Sequence, residues 1–161
     1  MKPLEQLVSI RGKLVRFARS VVRDEEDAKD VVQDCFLKLH QMNGELDKVE
    51  NIESFAMRMV KNRGLDLLKK KKPESWNGDE EISVTFQDAQ RIMEAREGVE
   101  RLHRCLEFLG EKQRQVFYLR EIEGYEFREI SGIMGLSEDA VRANLSRART
   151  HIFSIYKMHT L

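Results

Sequence analysis

The sequence predicts an all-α protein made of two small helical domains joined by a linker. Helix-forming residues dominate the 161-residue chain, 35% of its residues are charged, and only two are prolines. Along most of the chain, apolar residues recur three and four positions apart, as in helices that bury one face. This spacing stops between residues 73 and 89. We therefore place the domains at 1–72 and 90–161, with the linker at 73–89.

The first domain reads as three helical segments. An apolar stripe from Leu4 to Val22 is interrupted by a polar run in which Asp24 is a suitable N-cap. The next stripe buries one face of a second segment, whose apolar residues are Ala28, Val31, Val32, Cys35, Phe36 and Leu39. After a polar loop over 42–51, a third helix is expected from about Ile52 to Lys70, ending in a run of lysines.

The linker is acidic and breaks every period. Residues 73–93 carry one basic and five acidic side chains, whereas residues 1–72 carry 16 basic and 12 acidic ones. The overall charge of zero therefore hides a basic first domain and argues against a protein that merely coats DNA. Four apolar linker residues indicate docking onto the protein, with a flexible tether as the alternative; they are Trp76, Ile82, Val84 and Phe86.

The helical pattern resumes at about Gln90 and ends in a helix-turn-helix. One stripe comprises Val99, Leu102, Leu106 and Leu109. A further helix from Lys112 to Ile122 stops before Gly124. Two short amphipathic helices follow, separated by Gly135, with Ser137 as the N-cap of the second.

The last helix has a basic exposed surface. Its apolar positions are Val141, Leu145, Ala148 and Ile152, and from Ala140 to the C-terminus there are four basic residues and no acidic one. Such a helix suits phosphate contact and base-edge reading, although helix-turn-helix corners also occur in proteins that never bind DNA.

Other classes of function lack a signature in this sequence. We find no glycine-rich phosphate loop, nucleophile elbow or paired catalytic carboxylates, so we expect neither an enzyme nor a cofactor. The four histidines lack metal-ligand spacing, and Cys35 and Cys105 read as reduced core thiols of a cytosolic protein. No signal peptide or membrane-spanning run is present, and we expect no direct membrane insertion.

Three motifs in order resemble a bacterial sigma factor of the extracytoplasmic-function (ECF) group. They read DEEDAKDVVQDCFLKLH, SFAMRMVKNRGLDLLKKKK and LGEKQRQVFYLREIEGYEFREISGIMGLSEDAVRANLSRAR, and together they cover nearly the whole chain. The resemblance implies a cytoplasmic protein that binds core RNA polymerase and directs promoter-specific initiation. It also implies promoter DNA and an anti-sigma factor as partners, and we expect a monomer when the protein is free.

The resemblance assigns two surfaces to the first domain. The polymerase contact comprises Asp30, Gln33, Asp34, Phe36 and Leu37, although Phe36 also fits a core position. The contact with the minus-ten strand comprises Lys61, Asn62, Arg63, Lys69 and Lys70. Opening a strand needs cations for phosphates and a pocket for an unstacked base, whereas Asp66 suits a structural role.

In the second domain, the resemblance assigns the minus-thirty-five element to the last helix. The residues are Arg142, Ala143, Ser146, Arg147 and Arg149, the last on the phosphate side. The linker resembles the connector that threads the RNA exit path, where Asp79, Glu80 and Glu81 would mimic RNA charge; the alternative is a solvated tether.

Two alternatives stay open on the sequence. A stand-alone helix-turn-helix regulator would carry a sensor domain in residues 1–72, and it would bind duplex DNA tightly without polymerase. An inactive sigma-like decoy would bind polymerase and initiate nothing. Charge reversal at Arg142 and Arg147 separates initiation from polymerase binding.

Overall fold

The computed structural model describes residues 2–72, 74, 78–79 and 82–160, and the regular secondary structure of this part of the chain is entirely helical, with no strand. Within these described residues, nine α-helices follow one another, with a 3₁₀ turn at Asn43–Lys48 and a π turn at Tyr118–Ile122. The helices are α1 (Pro3–Ser9), α2 (Arg11–Val22), α3 (Glu25–Met42), α4 (Ile52–Lys71), α5 (Phe86–Met93), α6 (Gly98–Leu106), α7 (Glu111–Phe117), α8 (Phe127–Met134) and α9 (Glu138–Thr160). The all-α prediction is confirmed.

The predicted first stripe is two helices rather than one. The chain leaves helical geometry at Ile10, so α1 and α2 form separate rods. Arg23 ends α2 in the left-handed conformation at φ 63°, which only a few non-glycine residues adopt. Asp24 then caps α3, as predicted, because its carboxylate accepts the amide of Asp27 at 3.0 Å.

Helices α2, α3 and α4 form the core of the first half. Asn51 caps α4 through a hydrogen bond from the amide of Ser54. Helix α4 approaches α2 closely at Gly64, where a Cβ atom would lie 2.8 Å from Cγ1 of Val21. The predicted core positions of α3 are buried except Phe36, which is half-buried.

The connector carries more helix than its sequence predicts. Helix α5 already begins at Phe86, inside the predicted linker, because Thr85 and Asp88 form a reciprocal capping box. Val84 packs against the core, as the docking interpretation expects, whereas Ile82 and Phe86 stay exposed. Trp76, Glu80 and Glu81 lie outside the described residues.

The second half contains the predicted helix-turn-helix. Gly135 ends α8 at φ 67°, and the hydroxyl of Ser137 accepts the amide of Ala140 at 3.1 Å at the start of α9. The hydroxyl of Ser131 donates to the carbonyl of Leu136 and closes the turn. The predicted apolar face of α9 is buried, but Val99, expected in the core, is 64% exposed at the start of α6.

The two halves pack directly on each other. Helix α4 lies against α8, and α2 lies against α7 and the π turn, so one hydrophobic cluster runs through both halves. The rings of Phe17 and Tyr118 stack across the boundary with centroids 6.2 Å apart. Buried Arg114 donates through Nε to the carbonyl of Ser20 at 2.6 Å.

Candidate nucleic-acid and partner interfaces

Helix α9 presents the predicted reading residues on its outer side. Val141, Leu145 and Ala148 anchor the opposite side in the core. This leaves the predicted cations and Ser146 exposed and Ala143 half-buried; the cations are Arg142, Arg147 and Arg149. The arrangement is that of a helix able to lie in a major groove with several side chains directed at base edges and phosphates.

An aromatic ring positions the first of these cations. The guanidinium carbon of Arg142 lies 5.0 Å from the ring centroid of Phe127, and that of Arg120 lies 4.6 Å from the same centroid. Arg120 also donates to the carbonyl of Tyr125 at 2.9 Å, and Arg142 lies 3.5 Å from the exposed carboxylate of Asp139. The ring therefore gathers two cations beside the start of the reading helix.

The other two predicted cations lie in different surroundings. Arg149 forms an ion pair with Glu121 of the π turn, so part of its charge is already neutralised. Arg147 lines a pocket of about 300 Å³ together with Lys112 and Asn144. The amide of Asn144 donates back to the carbonyl of Ala140, which fixes its orientation along the helix.

On α4, the predicted minus-ten residues are split between surface and interior. Asn62, Lys69 and Lys70 are exposed. Lys61 is only 9% exposed, and its ammonium donates to the carbonyl of Met134 at the end of α8, at 3.2 Å. Burial, with a smaller contribution from Arg58, lowers the pKa of Lys61. A DNA contact by Lys61 requires the two halves to separate.

A groove between α3 and α4 brings together residues from both predicted first-domain surfaces. It has a volume of about 770 Å³. Its walls include Asp34, Leu37, Asn62 and Arg63, with Asp66 beside them. Nη2 of Arg63 lies 3.0 Å from the carboxylate of Asp34, and Leu37 exposes 60% of its surface.

The remaining predicted polymerase contacts continue along α3. Asp30 and Gln33 are exposed and line an adjacent groove with Lys71. Phe36 packs its ring partly against the core. Acidic, amide and apolar groups thus share one surface, which suits a partner helix that offers cations beside an apolar stripe.

Sequence reasoning missed three side chains of these surfaces. Arg58 lines the groove one helical turn before Asn62, and the i, i+4 spacing alone would have found it. Arg120 and Lys112 belong to segments that were assigned only to the core or to helix termini. Their position beside α9 depends on tertiary packing, which no local pattern reveals.

No group of three metal-ligating side chains comes together in the described part of the chain. Both cysteines are buried, and burial raises the pKa of each thiol to about 11, so neither is a reactive thiolate at neutral pH. Within the same residues, no helix has the length and apolar character needed to span a membrane.

Two family models match the chain in the order expected for these surfaces. Residues 8–74 match the model described as Sigma-70 region 2, which includes α3 and α4. Residues 99–152 match the model described as Sigma-70, region 4, which includes the helix-turn-helix.

Named relatives resemble the chain over most of its length. The ECF RNA polymerase sigma factor SigM of Mycobacterium tuberculosis is 27% identical over 140 residues, covering 87% of this chain and 69% of the relative. The ECF RNA polymerase sigma factor SigM of Bacillus subtilis is 26% identical over 142 residues, covering 88% and 86%.

Solved structures share the fold. The sigma factor RpoE of Bartonella quintana, solved in complex with the anti-sigma factor NepR, superposes with a TM-score of 0.73 at 17% identity, covering 95% of both chains. CnrH, solved in complex with the cytosolic domain of CnrY, superposes with a TM-score of 0.64 at 26% identity, covering 96% of this chain and 87% of CnrH.

Proposed function

We propose that three surfaces of this chain, an ECF sigma factor of the sigma-70 family, carry its contacts with core RNA polymerase and promoter DNA. An ECF sigma factor binds core RNA polymerase and directs promoter-specific initiation. Sigma factors are initiation factors rather than enzymes. We assign the chemistry of RNA synthesis to the polymerase, and to this chain only binding, strand capture and promoter reading, in the cytoplasm. The domain limits 1–72 and 90–161 are part of this proposal.

The polymerase surface is the outer side of α3. Asp30, Gln33 and Asp34 are exposed beside Leu37, whose large exposed apolar area has no partner in the free chain among the described residues. Burying Leu37 against a partner helix is favourable at about 25 cal/mol per Å² of apolar surface. The flanking carboxylates set the orientation and attract cations of the partner. Phe36 supports this surface from beneath.

The minus-ten surface is the adjoining side of α4 and the groove beside it. Asn62 and Arg63 lie on the wall of the groove of about 770 Å³, and we assign to this groove the base that is taken out of the stack. Lys69 and Lys70 follow on the last turn, where their charges can pair with successive phosphates. Lys61 joins this surface once α8 has moved away.

The minus-thirty-five surface is α9. Arg142, held by the ring of Phe127, and Arg147 provide the guanidinium groups that read guanine or bind phosphate, each good bidentate base contact being worth about 1–3 kcal/mol of discrimination. Ala143 and Ser146 leave room for methyl contact or one hydrogen bond. Arg149 binds phosphate on the flank of the groove.

A regulatory partner is part of the proposal. RpoE of Bartonella quintana was solved with an anti-sigma factor, and CnrH with the cytosolic domain of CnrY. We propose that this chain, monomeric when free, is likewise held by an anti-sigma factor. The contacts described above are explained without a sensor domain in residues 1–72, and so without the alternative of a stand-alone transcriptional regulator.

The observation that carries the proposal is the presence, on one chain, of an acidic and apolar α3 surface and a capped basic reading helix. Run-off transcription tests it, with sigma-free bacterial core polymerase and a pool of genomic fragments from the source organism. Discrete transcripts that need the added protein are the expected result. Core binding without transcripts would favour the decoy. Absence of both core binding and transcripts would favour the stand-alone regulator.

A further inference from the structure

A short piece of the connector lies against the DNA-reading half beside α9. The backbone amide of Glu111 donates to the carbonyl of Gly78 at 2.8 Å. The carboxylate of Asp79 lies 3.5 Å from the ammonium of Lys112. Further along, the amide of Ile82 donates to the carbonyl of Phe108 at 3.2 Å. The connector is therefore attached to this half on both sides of Asp79.

Gly110 permits this close approach. A Cβ atom at Gly110 would lie 3.0 Å from the carbonyl carbon of Asp79 and only 2.5 Å from its oxygen, and the latter is a distance that real Cβ atoms do not sustain. The backbone of Gly110 has φ −61° and ψ 159°, which any residue adopts. Glycine is therefore needed here because the connector approaches it, and not because of its own conformation.

Asp79 shares a pocket with cations on one flank of α9. The pocket is lined by Lys112 and by two residues one helical turn apart on α9, Asn144 and Arg147. When a helix lies in a major groove, the two DNA backbones run along its flanks, and side chains there bind phosphates. Lys112, which pairs with the carboxylate of Asp79 in the free chain, and Arg147, which lines the same pocket, are therefore placed to face a phosphate when α9 lies on DNA.

We propose that Asp79 is a built-in competitor of promoter DNA. In the free chain the connector holds a carboxylate on the flank of α9 where a DNA phosphate binds, and duplex affinity stays low until the connector leaves. This inference rests on the proposed role of α9 in reading DNA. It assigns to the acidic linker a function within the chain itself, and it makes Gly110 the residue on which that function depends.

Two variants remove the competition by different means. Asp79→Asn removes the charge and keeps the side-chain volume. Gly110→Ala keeps the charge but places a methyl group where the connector now lies. Glu74→Gln is the control, since it removes one charge from the same connector at an exposed position outside the pocket.

Anisotropy of a fluorescein-labelled duplex of mixed sequence at low salt measures the effect, because phosphate contacts supply non-specific binding. Asp79→Asn and Gly110→Ala are each expected to bind the duplex roughly threefold to tenfold tighter than the wild type, as one displaced charge contact implies. The double variant should bind no tighter than the tighter single variant, since both remove the same obstacle. Equal affinity of all variants, or an equal gain in Glu74→Gln, would overturn the inference.

Hydrogen exchange measures the docking directly. The amide of Glu111 should exchange faster in Gly110→Ala than in the wild type, because its acceptor on Gly78 is displaced; unchanged exchange would show that the connector does not dock there. The two proposals fail separately. Absence of run-off transcripts with core polymerase would count against the sigma function, whereas normal transcripts with unaltered duplex affinity in both variants would count against the competition alone.

Discussion

At the scale of single residues, Phe127 shows how an aromatic side chain at the start of α8 serves the candidate site. The sequence places it on the apolar stripe of α8, and the structure leaves it half-buried, with Arg120 and Arg142 against its ring. The periodicity identified the residue but not its neighbours, because Arg120 reaches the ring from the preceding π turn. The same limit applies to Ser131, whose hydroxyl closes the turn after α8.

Replacing Phe127 with Leu should weaken initiation and leave polymerase binding unchanged. Leu keeps the apolar volume but removes the π face, which is worth about 0.5–1 kcal/mol for an exposed cation. We expect a twofold to fivefold fall in run-off product at limiting protein, in line with that energy. Phe127→Tyr keeps the ring and is the matched control; an equal loss in both variants would contradict the positioning role.

The hydrogen bonds that Glu53 accepts predict that the folded protein loses stability in acid. Burial acts to raise the pKa of Glu53, but hydrogen bonds from Lys13 at 2.8 Å and from the hydroxyl of Tyr125 at 2.9 Å outweigh it, so the pKa is lowered. A lowered carboxyl pKa contributes stability above the unfolded value of about 4.3, and this is lost as pH falls through the folded value.

The measurement is urea unfolding of the wild type and Glu53→Gln between neutral and acid pH. We expect the variant to be less stable by about 1 kcal/mol or less at neutral pH, because solvent screens a carboxylate that is 35% exposed. The difference should shrink below about pH 4.3. Glu50→Gln, at an exposed neighbouring position, is the control. A difference independent of pH would contradict the role of the charge.

At the scale of helices, two glycines inside helices have opposite roles. Gly64 in α4 lets this helix approach α2, since a Cβ atom would lie 2.8 Å from Val21 and 3.3 Å from Val22. Gly132 in α8 has no atom within 4 Å of an added Cβ. A local sequence pattern shows only that glycine weakens a helix; it does not show a close approach between helices.

Alanine at these two positions should therefore change stability in opposite directions. Gly64→Ala overpacks the contact of α4 with α2 and should lower the free energy of unfolding by about 1–3 kcal/mol. Gly132→Ala should raise it by roughly 0.5–1 kcal/mol through helix propensity. Thermal and urea unfolding of the two variants provide the comparison, and a loss of stability in Gly132→Ala of the same size as in Gly64→Ala would refute this account of the packing.

At the scale of the whole molecule, the order of helices was predictable and the contact between halves was not. Apolar periodicity and capping residues predict α3, α4, α8 and α9, whereas they miss the break between α1 and α2 at Ile10 and the start of α5 at Phe86, where local turns decide the boundary. No sequence signal showed that Lys61 would donate to Met134 or that Arg114 would cross to Ser20. Such contacts join residues far apart in the chain and depend on how complete domains fit together.

The buried cations at this boundary join the two halves by hydrogen bonds, but burying their charge costs free energy. Burial, followed by repulsion from Arg23, lowers the pKa of Arg114 to about 9. Arg23 and Arg114 both donate to the carbonyl of Leu109, so the two halves share one acceptor. Separation of the halves would release Arg114 and Lys61 to solvent. The free energy gained by solvating these cations would partly offset the free energy lost when the apolar contact between the halves is exposed.

The central claim is that α9 directs initiation at promoters while α3 binds polymerase. Run-off transcription with core polymerase, paired with gel filtration of the mixture, tests it in the variant Arg142→Glu/Arg147→Glu. Arg91→Glu/Arg96→Glu, which reverses two exposed charges outside α9, is the control. We predict that the α9 variant co-elutes with core and gives no promoter-specific transcript, whereas the control gives both. Initiation that survives reversal of Arg142 and Arg147 would contradict the account.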